Sequence, residues 1–229
     1  MDSRKEQILN IIVKEYIKTG VPIGSEVIAG KHKLDVSPAT VRNDMAILED
    51  EGYIIQPHIS AGRVPSEKAY NYYLRQIKKK KKEKIFKDKE FDRLLNDKSE
   101  IGLKKIAKYL ANKSNLAVFW AFHRHNVYYT GLSNLFSQPE FAQVNVLYDI
   151  SAVIDRIDEI VNQIFDEYGF ETEVALGEKN PFGNLFGTVL AKYKLEENIG
   201  LFGVVGPMRM DYEENLNLIK LINNQICEK

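Results

Sequence analysis

One predicted helical face near residue 40 carries side chains that suit the edges of DNA base pairs. Ala39, Arg42, Asn43 and Ala46 follow the spacing i, i+3, i+4 and i+7, which places them on one side of a helix. The guanidinium of Arg42 can donate twice to guanine, and the amide of Asn43 can pair with adenine. The small alanines permit close approach to a major groove. The spacing favours a DNA recognition helix, although a plain surface helix or a protein-docking unit has the same pattern.

The start of this helix suits a phosphate group. Ser37 is predicted as the N-cap, and Pro38 as the first helical residue. The hydroxyls of Ser37 and Thr40, with the free N–H groups of the first turn, can hold phosphate oxygens. Ser25, at the start of the preceding predicted helix, joins them in the predicted DNA-binding set.

A polar hairpin predicted just after the helix adds further candidates. Gln56, His58, Ser60 and Arg63 surround its tip, and the Ala61-Gly62 pair lets the backbone turn tightly. A loop of this kind can enter a minor groove or follow a phosphate. An ordinary polar turn is the alternative interpretation.

Other chemistry-bearing residues form no recognisable catalytic or metal-binding pattern. The sequence contains no GxSxG, HExxH or P-loop motif. His123 and His125 have no evident third ligand, and Cys227 has no histidine near it in the sequence. Arg209 either binds an acidic group or stabilises a turn. We therefore expect neither enzymatic activity, nor a cofactor, nor a metal ion.

The elements that must position the candidate residues are three helices and a hairpin. The predicted helices are a first helix ending at Gly20, a second over Ser25–Lys31 closed by Gly30, and a third from Ser37 to Gly52. The predicted hairpin comes next, and a helix over Ser66–Gln76 follows it. This order is typical of a winged helix-turn-helix.

The rest of the chain alternates strands with helices, which predicts an α+β fold with helices on a mostly antiparallel sheet. The predicted strands are Leu116–Phe122, Val127–Gly131, Glu173–Leu176, Gly187–Tyr193 and Gly200–Val205. One long amphipathic helix is predicted from Val153 to Phe165, and the last helix over Tyr212–Ile226.

Composition and charge divide the chain of 229 residues. Residues 1–110 hold 23 Lys and Arg against 16 Asp and Glu, while the remainder holds 9 against 16. The run Lys78–Lys82 predicts a boundary, as a solvated helix or linker or as a phosphate-contacting segment. We expect a DNA-binding domain over 1–76, a lysine-rich linker or helix over 77–100, and a second domain over 101–229. No long apolar run and no signal-peptide-like start occur, so we expect a cytoplasmic protein without a membrane span.

Three separated segments carry a family resemblance. The stretch VSPATVRNDMAILEDEGYIIQPHISAGRVPSEKAYNYYL (residues 36–74) resembles the N-terminal region of the heat-inducible transcription repressor HrcA family. Part of it, SPATVRNDM, is also similar to DeoR-type repressors. GLSNLFSQPEF (residues 131–141) and GVVGPMRMDY (residues 203–212) resemble two signature segments of the HrcA C-terminal domain.

The resemblance implies a repressor of chaperone genes that binds double-stranded DNA at an inverted-repeat operator as a homodimer. It implies a winged helix followed by a GAF-like domain that serves in dimerisation or regulation, and activity supported by a GroEL-type chaperonin. The recognition-helix role falls on Ser37–Asp50 and the wing role on Gln56–Arg63. This chain is a short form, without part of the central and inserted sequence of typical members. Two alternatives stay open: a DeoR-like regulator that senses a small molecule, and a truncated protein-interaction module.

Overall fold

The chain forms two compact units, which a computed structural model describes over residues 2–32, 34–80, 88–142 and 144–227. The units are Met1–Lys81 and Lys82–Lys229. The division falls inside the stretch 77–100, which was predicted to be a linker or helix. Residues 81–87 of that stretch, including part of the lysine run, lie outside the described residues.

The first unit contains the predicted series of helices and hairpin. Its elements are α1 (Ser3–Thr19), α2 (Ser25–Lys31), α3 (Pro38–Asp50), β1 (Ile54–Ile55), β2 (Val64–Pro65) and α4 (Glu67–Lys80). Gly30 does not close α2 as predicted, because the N–H of His32 still reaches the carbonyl of Ile28. Helix α4 continues past the predicted end at Gln76 into the lysine run.

Local capping sets the helix ends in this unit. The side chain of Asp2 accepts the N–H of Lys5 at the start of α1, and Gly20 ends that helix in the left-handed region at φ 66°. Ser37 accepts the N–H of Thr40 and Pro38 opens α3, as predicted.

Apolar side chains from every helix meet in the core of the first unit. The buried members include Ile8 and Ile12 of α1, Ile28 of α2, Val41 and Leu48 of α3, and Tyr70 of α4. The antiparallel pair of Ile54 with Pro65 and Ile55 with Val64 closes the hairpin above this core. Burial of these stripes is the main force that holds the helices together.

The described residues of the second unit form a five-stranded antiparallel sheet in the order β4-β3-β7-β6-β5. Its strands are β3 (Ala117–His123), β4 (Asn126–Thr130), β5 (Glu173–Leu176), β6 (Phe186–Leu195) and β7 (Asn198–Pro207). Its helices are α5 (Lys89–Leu94), α6 (Glu100–Ser114), α7 (Leu132–Phe136), α8 (Val144–Asp155), α9 (Ile157–Ile164) and α10 (Tyr212–Ile226). The antiparallel sheet with its helices confirms the predicted α+β class.

Helices cover both faces of the sheet. Phe119 and its alternate neighbours in β3 pack with apolar residues of α7, α8 and α9 in one core cluster. Trp120 points to the opposite face, where α6 and α10 contact the sheet. There it stacks on Phe202 at 4.5 Å and donates its indole N–H to the hydroxyl of Tyr193 at 3.0 Å.

Two helices of this unit differ from the sequence-based expectation. The predicted helix Val153–Phe165 is interrupted at Arg156, whose N–H turns back to the carbonyl of Val153. Helix α5 lies within the predicted linker stretch, yet Phe91 is fully buried and stacks on Tyr109 of α6 at 4.8 Å. The second unit therefore includes folded residues before position 101. Within the described ranges, no helix is both long and apolar enough to cross a bilayer.

Candidate nucleic-acid interface

Helix α3 presents the predicted polar face to solvent. Its inward positions, Val41, Asp44, Met45 and Leu48, are buried. The outward positions are all exposed: Ala39, Arg42, Asn43 and Ala46. Small alanines precede and follow Arg42 and Asn43, and Ile47, 40% exposed, lies one helical turn after Asn43. The face therefore offers the hydrogen-bond donors of Arg42 and Asn43 to a partner.

The first turn of α3 holds its two hydroxyls in a local network. The Oγ of Ser37 accepts the N–H of Thr40 at 3.2 Å and lies 3.0 Å from the Thr40 hydroxyl. Ser37 is exposed and Thr40 is half-buried. Both predicted phosphate contacts therefore lie together at the helix N-terminus, where the helix dipole favours an anion.

One carboxylate fastens the hairpin to α3. Glu49 accepts the backbone N–H of Gln56 at 3.1 Å through one oxygen. Its other oxygen accepts the Nε of Arg63 at 2.8 Å and lies 2.8 Å from a second guanidinium nitrogen. These contacts join both ends of the loop between β1 and β2 to the helix. Arg63, predicted as a phosphate contact, is thus engaged within the chain.

The base of the hairpin is also held from the other side. Ile23 and Arg63 exchange two backbone hydrogen bonds, of 3.0 and 2.9 Å. Gly62 lies so close to this bridge that a Cβ atom would come within 2.5 Å of the Ile23 backbone. The side chain of Gln56 donates to the carbonyl of Ala61 at 3.1 Å, across the loop. Gln56 therefore closes the loop rather than extending from it.

The remaining predicted contacts divide by exposure. His58 and Ser60 are exposed at the tip of the hairpin, where Ser60 adopts a left-handed conformation at φ 71°. Ser25 is only 7% exposed. Ser25 therefore offers little surface to a phosphate.

Sequence reasoning missed two acidic residues that position α3. Asp44 is buried and accepts both Nε and a terminal nitrogen of Arg4, at 2.6 and 3.1 Å, which ties α1 to α3. The sequence does carry a signal for Asp44, because its carboxylate stands among the inward-facing apolar positions of α3. Glu49 gave no such signal, because its partners Gln56 and Arg63 become neighbours only when the hairpin folds back.

Outside this unit, the features considered for metal or anion binding have local partners. The N–H of His125 donates to Nδ1 of His123 at 3.3 Å. Arg209 pairs with Glu140 and donates to Gln138 at 3.1 Å. The acidic group that Arg209 binds is therefore Glu140 of the same chain, and the contact joins two of the three family-like segments. Among the described residues, no group of three or more His, Cys, Asp or Glu side chains is arranged to hold a metal ion.

Comparison with known proteins gives one consistent family. A family model for the HrcA protein C terminal domain matches residues 40–215. The heat-inducible transcription repressor HrcA of Pelotomaculum thermopropionicum is 37% identical over 170 residues, covering 72% of this chain and 48% of the relative. That of Symbiobacterium thermophilum is 24% identical over 335 positions, covering 100% of this chain and 98% of the relative. That of Bifidobacterium animalis subsp. lactis is 57% identical over 75 residues, covering 33% of this chain and 20% of the relative.

A solved structure has a similar fold over most of the chain. The crystal structure of a hypothetical protein superposes with a TM-score of 0.80 at 19% identity, covering 99% of this chain and 97% of the other. The chain spans about half of the Pelotomaculum relative, or 48% of it. The alignment with the Symbiobacterium relative extends over 335 positions, against 229 residues here, so that relative has additional internal sequence. The family-model match covers well over half of the chain, and the chain belongs to the HrcA family.

Proposed function

We propose that this chain is a sequence-specific DNA-binding transcriptional repressor of heat-shock genes. The observation that carries the proposal is the exposed Arg42 and Asn43 pair on α3, beside a hairpin that Glu49 fastens to the same helix. The relatives named as heat-inducible transcription repressors support the link to heat shock. The proposed activity requires no catalytic step.

In this proposal the first unit is a winged helix-turn-helix. Helix α3 enters the major groove, where Arg42 reads guanine and Asn43 reads adenine. Ser37 and Thr40 hold a phosphate at the start of the helix. The order of three helices and a hairpin supports this assignment.

The hairpin acts as the wing. His58 and Ser60 at its tip approach the DNA, while Gln56 and Arg63 keep the loop in position. Arg63 therefore contributes mainly by orienting the wing, and a role for it in binding phosphate requires release from Glu49.

The second unit is proposed as a GAF-like domain that forms the dimer. A five-stranded antiparallel sheet with helices on both faces supports the assignment. A dimer presents two recognition helices at a fixed spacing, which is what an inverted-repeat operator requires. Support from a GroEL-type chaperonin is part of the same proposal, drawn from family resemblance.

Fluorescence anisotropy tests the proposal with three labelled duplexes over a salt series. They are an inverted repeat of the kind that the family binds, one isolated half-site and a scrambled sequence. We expect the full repeat to bind about 10³-fold more tightly than the scrambled duplex, with the half-site much weaker. Equal binding of all three, governed only by salt, would instead indicate non-specific attraction of the lysine-rich segment to a polyanion.

A further inference from the structure

Ile59 stands at the tip of the hairpin with 92% of its surface exposed. Among the large apolar side chains of the described residues, it is the most exposed. Its neighbours His58 and Ser60 are exposed as well, so no side chain next to it in the sequence shields it from water. Single exposed apolar residues are common on proteins, so the significance of Ile59 depends on where the fold holds it.

The loop that carries Ile59 is anchored at both of its ends. Glu49 binds both ends of the loop, at Gln56 and Arg63. The close packing of Gly62 against Ile23 leaves the base of the loop no room to shift inward. Because Glu49 belongs to α3, the base of the loop that carries Ile59 is fastened to the proposed recognition helix.

The charge pattern of the loop selects the chemistry of its partner. The sequence has no acidic residue between Glu51 and Glu67, although the chain contains 32 Asp and Glu residues. Arg63 is the single Lys or Arg in that interval, and it is paired with Glu49. The loop therefore neither repels a polyanion nor binds one strongly through charge. Its tip offers an apolar side chain, and apolar side chains can wedge between the bases of a minor groove.

We infer that Ile59 inserts into the minor groove that flanks the half-site contacted by α3. The inference rests on the proposed function and names a residue that reads the shape of the DNA. An apolar side chain fits a groove floor made of A·T pairs, since G·C pairs add the N2 amino group of guanine there. Ile59 thus favours A·T pairs at the wing position and discriminates without hydrogen bonds.

The test compares two substitutions at the same exposed position. Ile59→Ser removes the apolar side chain, and Ile59→Leu, the matched control, retains it. The probe is a duplex that the wild-type chain enriches from a randomised pool. We expect Ile59→Ser to weaken binding of that duplex about ten-fold and Ile59→Leu to weaken it less than about three-fold. The salt dependence should be the same in all three proteins, because no charge changes.

A modified base locates the contact in the minor groove. Replacing adenine with 2,6-diaminopurine at the flanking A·T pairs adds an amino group to the minor groove and leaves the major-groove pattern unchanged. Wild-type protein should lose about ten-fold in affinity for the modified duplex, whereas Ile59→Ser should lose almost nothing. Equal losses in both proteins would overturn the inference.

The outcomes separate this inference from the proposed function. If the wild-type chain enriches no duplex, the proposed function itself fails. If it enriches a duplex that Ile59→Ser binds equally well, only the role of Ile59 fails. Sedimentation of both proteins completes the comparison: weaker self-association of Ile59→Ser with unchanged DNA binding would assign Ile59 to a contact between copies of the chain, against our inference.

Discussion

Glu49 near the end of α3 and Arg63 at the end of the hairpin loop form an ion pair, with 2.8 Å between the carboxylate and the guanidinium. The same carboxylate accepts the backbone N–H of Gln56 on the other side of the loop, at 3.1 Å. One side chain of the proposed recognition helix therefore sets the direction of the proposed wing. The two pairing groups are only partly exposed, so water weakens this ion pair less than it weakens a fully exposed one.

Glu49→Ala should reduce specificity by releasing the wing. We expect affinity for the inverted repeat to fall about ten-fold, since the hairpin no longer holds one orientation beside α3. Arg63 becomes free to contact phosphate, so affinity for scrambled DNA should rise. The slope of the logarithm of that affinity against the logarithm of salt concentration should steepen by about one. Anisotropy with both duplexes over a salt series measures the two effects.

Asp50→Asn is the control for Glu49→Ala. Asp50 is the next residue of α3, is exposed, and also carries one negative charge. Loss of this charge should raise the affinity for both duplexes to a similar small extent. The ratio of the affinity for the inverted repeat to that for scrambled DNA should stay unchanged. A ratio that falls equally in both variants would mean that charge alone, and not the Glu49 contacts, governs specificity.

Arg42→Ala should relax base preference. Loss of a bidentate contact to guanine costs about 1–3 kcal/mol at the specific site and little on scrambled DNA. Competition binding against operators substituted one base pair at a time measures the change. Arg75→Ala removes the same charge from an exposed position of α4 and serves as the control. Unchanged base preference in Arg42→Ala would exclude the assigned role.

Arg4→Met should destabilise the first unit more than Asp44→Asn. The Asp44 side chain is 5% exposed and that of Arg4 is 48% exposed, so only the carboxylate is stranded in the interior when its partner is lost. We expect Arg4→Met to lower the unfolding temperature of this unit by about 5 °C or more. Circular dichroism follows the transition.

The double variant checks the cause of the Arg4→Met effect. Adding Asp44→Asn to Arg4→Met should recover part of the loss, because the unpaired charge is removed. The fluorescence transition of Trp120, the one tryptophan of the chain, should stay in place in all three variants, since it reports the second unit. Additive losses in the double variant would contradict the explanation.

Glu15 should make the stability of the first unit sensitive to acid. The hydrogen bond from Lys31, at 2.6 Å, lowers the pKa of Glu15 below its ordinary 4.5, and burial opposes this effect. A lowered folded-state pKa contributes stability above the unfolded value, and that stability is lost as pH falls through the folded value. Carboxyl carbon NMR should place the Glu15 midpoint below 4.5.

Lys31→Met reverses that shift. With the ammonium gone and the burial retained, the pKa of Glu15 should rise, and the corresponding acid sensitivity of α1 and α2 should decrease. The same NMR titration on the variant measures the change. An unchanged midpoint would show that Lys31 is not the cause of the lowered pKa.

Tyr193→Phe should weaken the core of the second unit. The hydroxyl of Tyr193 accepts the indole N–H of Trp120 inside the sheet, and its burial raises the pKa of Tyr193. Losing this acceptor leaves a buried donor unsatisfied, at a cost of about 1–3 kcal/mol. Urea unfolding followed by Trp120 fluorescence measures the loss. Tyr148→Phe, at a position 77% exposed, should change stability little.

The sequence by itself determined the features that depend on near neighbours. Ser37 and Pro38 start α3 because a cap needs only the next few residues. The sequence also located all five strands of the second unit's sheet, although β6 and β7 extend one or two residues beyond the predicted bounds at each end. The outward face with Arg42 and Asn43 followed from helical spacing, and the three family-like segments indicated the family that the comparisons confirmed.

Only the tertiary structure decided which candidate side chains are free to act. Ser25 is buried, and Arg63 binds Glu49, fourteen positions earlier in the chain. Ile59 attracted no attention in the sequence, because its exposure depends on how the loop is anchored at Ile23 and Glu49. Hydrogen bonds and burial between distant residues arise from packing of whole elements, and local spacing carries no information about them.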